Sequence, residues 1–457
     1  MSAEKRRKIL ARWVVTAQLT LTSASQIGTE DSESADSTFA RDAKGQVVLP
    51  GTTLAGALRS ALEDQLVGYR TKDSGGAGKL FGDMKYHESP LMVFDAVAAP
   101  KSIAATIRDG VRIDPKLRLA ADGLKYDREL ALPGLTFPIR LELAVPEGEV
   151  WAKEEALLTD LCLALEALAS GHIRFGARKS RGLGECRVSA WKAKRYPLIT
   201  LDEWRAYAKT DHENPLGSVA AQPTLRAALG EHYPNLANQP DKRQALRLEF
   251  DCALPGTLLI RTPGVSATDP DMVHLTEQGK QLLSGTSLAG ALRSHCGRIA
   301  KTMGWNETLV PSLFGTAPEE SKNGLTASRV QVSEATLLES EARKQTRVKI
   351  DRFTGGALDT ALFDQKVATR GRVQFTIELR APETPRQTGL LLLAARDLVE
   401  GLLPLGGESS IGRGVLKGRI TAHFPDGSPP LTLTHGAPLD AATVARLDSY
   451  LIQENDK

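Results

Sequence analysis

Ten residues occur twice in this chain: Gly51-Thr-Thr-Leu-Ala-Gly-Ala-Leu-Arg-Ser60 and Gly285-Thr-Ser-Leu-Ala-Gly-Ala-Leu-Arg-Ser294 differ at one position. Further matches follow in the same order. Leu80-Phe-Gly82 answers Leu313-Phe-Gly315, Ser89–Ala96 answers Ser328–Ala335, and Val111-Arg-Ile-Asp114 answers Val348-Lys-Ile-Asp351. Each series closes on a glycine loop, Gly176-Ala-Arg-Lys-Ser-Arg-Gly-Leu-Gly184 and Gly406-Gly-Glu-Ser-Ser-Ile-Gly-Arg-Gly414. Collinear repetition of this kind makes the 457 residues two copies of one domain, so chemistry found in one copy has a defined place in the other.

Hydrophobic periodicity gives both copies the same order of elements. Arg12–Thr22 and Ala245–Cys252 alternate apolar and polar residues, the pattern of a half-buried strand. Leu54, Leu58, Leu62 and Leu66 form one stripe of a helix over 54–67. A strand near 91–98, a turn-rich excursion, a strand over 136–143, a mostly buried helix over 157–169 and a strand near 186–193 follow. The order β-α-β-β-α-β, twice, predicts an α+β protein of two tandem ferredoxin-like domains. The expected boundaries are 1–196, a linker with short helices over 197–243, a second domain over 244–424, and a tail over 425–457 with a helix at 439–453.

Composition narrows the function classes. At 41% hydrophobic and 25% charged residues the chain is an ordinary globular protein. No apolar run approaches the roughly 18 residues of a spanning helix, and the basic start is not followed by a signal-peptide core, so a cytoplasmic location is expected. The cysteines at 162, 186, 252 and 296 are scattered, which argues against a disulfide framework or structural zinc. A net charge of +3 is too small to imply nucleic acid, but between Gly171 and Tyr196 eight Lys or Arg stand against one acid, Glu185.

These patterns place candidate anion contacts. A strand turning through glycine into a helix presents free N–H groups, a natural phosphate seat, with Thr53 and Ser287 expected at the N-cap and Arg59 and Arg293 within reach of a neighbouring phosphate. The plain alternative is a capped helix with a surface arginine. Repetition of the whole decapeptide weighs against it. The glycine loops allow close backbone approach to a ligand, with Arg178, Lys179, Arg181 and Arg413 as counter-charge. A nucleotide loop is the rival reading, yet neither loop ends in Gly-Lys-Ser/Thr and both precede a strand.

The Pro-Gly-Thr-Thr-Leu-Ala-Gly-Ala-Leu-Arg motif with its closing Ser-Arg-Gly-Leu-Gly loop resembles the RAMP (repeat-associated mysterious protein) superfamily, in particular the backbone subunits of type III CRISPR effectors. Residues from Val111 to Leu124 and from Val348 to Asp364 resemble that family's thumb hairpin. Two fused units are similar to the double-backbone subunit of type III-D complexes. The resemblance covers roughly 10–196 and 245–424 and implies tandem RRM-like, ferredoxin-like domains with thumb insertions. It also implies guide RNA, complementary target RNA and further effector subunits as partners.

The same resemblance implies catalysis in the loop after the first strand, where the family's cleaving subunits carry an aspartate shortly before the Pro-Gly motif. Asp36 matches that position in the first copy and Asp271 in the second, with Asp269 as a competing assignment. The second copy departs from the pattern in having Ser284 where the first has Pro50. Cleavage in the family depends on a divalent cation, so Mg2+ is the expected cofactor, held by Asp36 and Asp271 with water and phosphate oxygens completing its shell. Such an aspartate could alternatively take the ribose 2′-OH proton. Two other readings stand beside this one. One is a non-catalytic scaffold of the same complex. The other is a guide-processing ribonuclease using a histidine, with His295 on the second helix, His87 in a loop and His274 near Asp271 as candidates.

Overall fold

The computed structural model describes residues 8–28, 39–70, 76–83, 88–99, 105–114, 120–147, 153–264, 266, 268–316 and 325–452. It divides into two compact units that meet in sequence between Arg243 and Gln244, with Ser180–Gly182 counted in the second.

In the first unit, β1 (Ile9–Leu21) is flanked antiparallel by β5 (Thr136–Pro146) and β6 (Cys186–Pro197), with β2 (Leu91–Val93) beyond β5. The sheet order β2-β5-β1-β6 is that of a ferredoxin-like domain. Alternation in β1 sends Ala11, Trp13, Val15, Ala17, Leu19 and Leu21 into the core. There they meet Leu54, Leu58 and Leu62 of α1 (Gly51–Val67) and the leucine-rich α2 (Glu154–Ala169). Each such leucine contributes on the order of 2 kcal/mol by leaving water.

Residues 197–243, expected as a linker, pack into this unit. Val14 is fully buried although it points to the opposite face of β1 from Trp13 and Val15, and Leu216 and Tyr196 cover it. Leu225 and Leu229 of the short α3 (Leu225–Leu229) enter the main core, and Gln222 bridges to Trp191. An apolar residue on the face that alternation assigns to solvent needed this cover.

The second unit repeats the plan. β7 (Ala245–Ala253) lies between β12 (Arg372–Arg380) and β13 (Lys417–His423), and β9 (Val330–Ser333) pairs with β12. The helices matching α1 and α2 are α4 (Gly285–Thr302) and α5 (Pro385–Val399). The region expected as a tail belongs to the fold: β14 (Leu431–Thr434) extends the sheet beside β13, and α6 (Ala441–Leu451) packs on α5, with Leu431, Leu433 and Leu447 in the core. A two-residue strand, Arg181–Gly182, pairs parallel with Val332–Ser333 at the other edge.

Each unit carries an inserted hairpin where the thumb was expected, β3 (Ala105–Ile113) with β4 (Ala120–Ala131), and β10 (Glu341–Ile350) with β11 (Ala357–Thr369). In the second, the Asp351 Oδ1 accepts N–H bonds from Phe353 at 2.7 Å and Thr354 at 2.9 Å, fixing a turn that leaves Phe353 98% exposed.

Candidate nucleic-acid interface

The repeated decapeptides form the start of α1 and α4, but their polar residues sit one turn further in than expected. The N-caps are Pro50 and Ser284, so Thr53 and Ser287 are third helical residues. Ser284 Oγ accepts the Ser287 N–H at 3.2 Å, a cap that proline cannot supply in the first copy. The first N–H of each helix is also taken. Gly51 N–H donates to Asp95 Oδ1 at 2.6 Å, and Gly285 N–H donates to Glu334 Oε1 at 3.3 Å. The chain's own carboxylates therefore hold part of the positive helix end that a phosphate was expected to occupy. Their signal was present in the sequence: Asp95-Ala96 and Glu334-Ala335 are matched positions of the repeat. Both glycines are explained by space, since a Cβ would lie 2.4 Å from Val93 O at Gly51 and 2.1 Å from Arg181 O at Gly285. Arg59 is engaged along its helix, with Nε 3.1 Å from Glu63, and Arg293 is half-buried on α4.

The two glycine loops match bond for bond. Phe175 N–H donates to Gly184 O and Leu405 N–H to Gly414 O, at 2.8 and 2.9 Å. Ala177 and Gly407 N–H donate to the equivalent Gln26 O and Leu259 O, at 2.9 and 2.8 Å. The residue two after the first glycine is left-handed in both, Arg178 at φ 55° and Glu408 at φ 59°. This register corrects the expectation for Arg413. It stands where Leu183 stands in the first loop, a core position, and is only 2% exposed. Its Nε lies 2.8 Å from Glu408 Oε2, and its Nη2 donates to Gln345 Oε1 at 2.7 Å and Gln365 Oε1 at 3.1 Å. Arg261 and Arg347 reach the same carboxylate at 3.2 and 3.4 Å. Burial works to raise the Glu408 pKa, but the Gln365 amide and the three guanidiniums outweigh it and hold the carboxyl below its usual value. Arg413 is thus an internal strut and faces no ligand.

The basic stretch around the first loop is less open than its charge count implied. Arg174 pairs with Glu185 at 2.7 Å, Arg195 holds Glu154 through two bonds of 2.7 and 2.9 Å, and Lys192 donates to Leu216 O at 3.2 Å. Lys194 lies over the Tyr196 ring. Lys179, Arg181 and Arg187 are exposed. Arg178 turns to the hairpin of its own unit, donating to Tyr126 Oη at 3.0 Å with its guanidinium 4.7 Å from the ring centre, and Arg128 lies over the same ring at 4.3 Å.

Of the predicted acids, Asp36 lies outside the described residues, as does His87. Asp271 is exposed at the start of β8 (Met272–His274), a strand that runs parallel to β11 with Met272 opposite Gln365. Its Oδ2 lies 3.4 Å from the Asp364 N–H. Asp364 itself is paired with Lys344 Nζ at 2.6 Å. Asp269, exposed like Asp271, acts within its turn, its Oδ2 accepting the Ser266 N–H at 2.9 Å. No group of three His, Cys, Asp or Glu fit to hold a metal occurs among the described residues. At Asp271 the donor present is one exposed carboxylate, a sparse set for a divalent cation.

Of the described histidine candidates, neither His274 nor His295 is placed as a base. His274 is 3% exposed and its Nδ1 accepts the Ile260 N–H at 3.1 Å, so it is a core residue and does not assist Asp271 from the loop. Burial pushes its pKa down to about 4. His295 has partners on both nitrogens, Asp397 Oδ2 at 2.6 Å and Arg298 Nη2 at 2.7 Å. With Arg298 donating to Nδ1, the ring proton sits on Nε2 toward Asp397, and no lone pair remains to accept a substrate proton.

None of the described helices is long and apolar enough to cross a membrane. The family model described as RAMP superfamily matches residues 18–187 and 258–417, one span in each unit. No curated protein matches the chain.

Proposed function

The chain belongs to the RAMP superfamily, and from that premise we propose that it is a guide-RNA-binding backbone subunit of a type III CRISPR effector, similar to the double-backbone subunit of type III-D complexes, that cuts complementary target RNA at one site per unit. The observation that carries the reading is the duplication of the whole unit, sheet, helix start, hairpin and glycine loop, with the exposed Asp271 carboxylate beside the hairpin strand β11. Asp36 takes the corresponding place in the first copy by sequence. In each unit the fold positions the RNA and the aspartate supplies one carboxylate oxygen near the scissile phosphate. A bound magnesium ion would neutralise charge on that phosphate. Positioning is shared among many phosphate contacts, whereas the chemical step hangs on one carboxylate, so binding and cutting are separable.

The test uses the assembled complex with guide RNA, complementary RNA and magnesium. Asp36→Ala and Asp271→Ala are each expected to remove one of two cuts and to leave guide binding and the other cut in place. Two cuts persisting in the double variant would overturn the catalytic assignment in favour of a scaffold. Loss of the second cut in Asp269→Ala but not in Asp271→Ala would move the assignment by two residues.

A further inference from the structure

Asp271 stands beside a second aspartate, and that one comes from the hairpin. β8 runs parallel to β11 with Met272 opposite Gln365, so one step back the register sets Asp271 beside Asp364, whose N–H meets the Asp271 Oδ2. Two neighbouring carboxylates repel unless a cation joins them. Lys344, on the strand β10 at the other side of β11, brings its Nζ to 2.6 Å from Asp364 Oδ2, and Thr346, directly opposite Asp364, donates its hydroxyl to Oδ1. Alternation sends Gln345, Arg347 and Gln365 to the other face, where they hold Glu408 and Arg413. Lys344 and Thr346 hold the Asp364 carboxyl below its usual value, so it is ionised at neutral pH and keeps the lysine a cation.

The first unit repeats the hairpin acid. Val111 and Val348 are matched residues of the duplication and lie opposite Lys125 and Leu362, which makes Asp127 the counterpart of Asp364. Lys125 Nζ lies 3.8 Å from Asp127 Oδ1 and 3.4 Å from Asp109 Oδ2. The aspartate has kept its register while the lysine has changed strand. An exposed ion pair adds only about 0–1 kcal/mol to stability, so folding alone does not call for it twice. The segment after the loop acid also has matching bonds: Ala40 N–H donates to Ile27 O at 3.0 Å and Leu275 N–H to Ile260 O at 2.9 Å, each from the fourth residue after Asp36 or Asp271. Beside Ala40, the Phe39 N–H and the Arg41 Nη2 lie 3.4 and 2.6 Å from the Glu129 carboxylate, two residues along β4 from Asp127.

We propose that Asp364 is a positioning residue for the second cut, fixing Asp271 through its N–H and holding Lys344 where the ammonium meets the scissile phosphate, and that Asp127 and Lys125 serve the first cut in the same way. This inference rests on the cleavage reading above and adds to it a cation supplied by each hairpin. Neighbouring strands are about 4.8 Å apart, so an ammonium over Asp364 lies about one strand spacing from the Asp271 carboxylate. A phosphate there gains negative charge as the attacking oxygen adds to phosphorus, and a cation already fixed beside it favours that state over the ground state. The lysine keeps its proton throughout.

The experiment reads the single-turnover rate of each cut in the assembled complex, with guide RNA, magnesium and saturating complementary RNA. Lys344→Ala is expected to slow the second cut about ten- to a hundredfold, while the first cut and the affinity for target stay at wild-type levels. Lys344→Arg should restore most of the rate. Asp364→Asn should slow the second cut less than Lys344→Ala does, because the lysine is loosened but still present. Lys125→Ala should slow the first cut alone. A second cut at the wild-type rate in Lys344→Ala, or equal slowing of both cuts, would overturn the inference. Asp271→Ala, run beside it, separates the two readings. Loss of the second cut there, with a normal rate in Lys344→Ala, removes the role of the lysine alone; a second cut that survives Asp271→Ala overturns the cleavage assignment and this inference with it.

Discussion

Leu183 and Arg413 hold the same position in the duplicated loop and are equally withdrawn from water, at 3% and 2% exposure. A leucine needs only apolar neighbours there. The guanidinium needs Glu408, Gln345 and Gln365, and its Nη1 still has no partner among the described residues. Arg413→Ala would remove the most buried of the three guanidiniums on Glu408, together with its packing against Gln345 and Gln365, and is expected to cost about 2 kcal/mol, measured by urea unfolding. Arg413→Leu combined with Glu408→Gln should recover part of that loss, because both ends of the buried pair are then neutral. RNA affinity falling in Arg413→Ala with stability unchanged would mean that the side chain reaches a ligand after all.

Glycines of the repeat separate into two kinds. At Gly184 and Gly414 a Cβ would lie 1.9 and 1.8 Å from backbone oxygens, and φ is +81° and +76°. Alanine at either position is expected to destabilise by about 3 kcal/mol or more, since no side-chain movement relieves a clash with backbone. Gly56 and Gly290 lie in helices where an added methyl group would meet nothing within 4 Å. Alanine there should stabilise by up to ~1 kcal/mol. Melting temperatures of the four single variants check both directions.

Acid should act on the two units in opposite senses. His274 binds its proton more weakly in the native state, with a pKa near 4 against 6.5, so its contribution is whole above about pH 6.5 and is lost as pH falls toward 4, on the order of 3 kcal/mol in all. Asp160 is raised by desolvation, against the pull of Lys79, from 3.8 to about 6. It holds its proton more tightly when folded, so its contribution is present at pH 4 and disappears as pH rises through 6. Asp160→Asn is therefore expected to stabilise at pH 7 by about 2 kcal/mol and to do little at pH 4. His274→Gln should flatten the loss below pH 6.5. Unfolding curves at pH 7, 5.5 and 4 distinguish these outcomes from a general acid effect.

The sheet and its two helices are legible in the sequence because their signals are periodic: alternation in Arg12–Thr22 and a leucine stripe in α1 each name a buried face. Loop residues carry no such period. Arg413 reads as counter-charge when it is taken alone, and only alignment of its loop with the first, where Leu183 takes its place, reveals a core position. The reach of 197–243 is hidden for a similar reason, since Val14 breaks the alternation by a single residue and nothing nearby in sequence says what covers it. The sequence matches Asp271 to Asp36 within their loops, but its spatial neighbour Asp364 comes from a hairpin strand far along the chain.

The helix starts offer a last discrimination. Asp95 and Glu334 each accept the first N–H of a repeated helix, so either they are caps or they hold a seat that phosphate takes when RNA arrives. A cap and favourable dipole contact together stabilise by about 1 kcal/mol. Asp95→Asn keeps an acceptor and removes the charge, so it is expected to cost less than ~1 kcal/mol and to leave RNA affinity and its salt slope as they were. The Glu334→Gln variant should behave alike but more weakly, its contact being 3.3 Å against 2.6 Å. A rise in affinity with a steeper salt slope in Asp95→Asn would show instead that the carboxylate competes with phosphate for the helix end. Thr53, one turn in on the same helix, would then line that seat, and Thr53→Ala should reverse the gain.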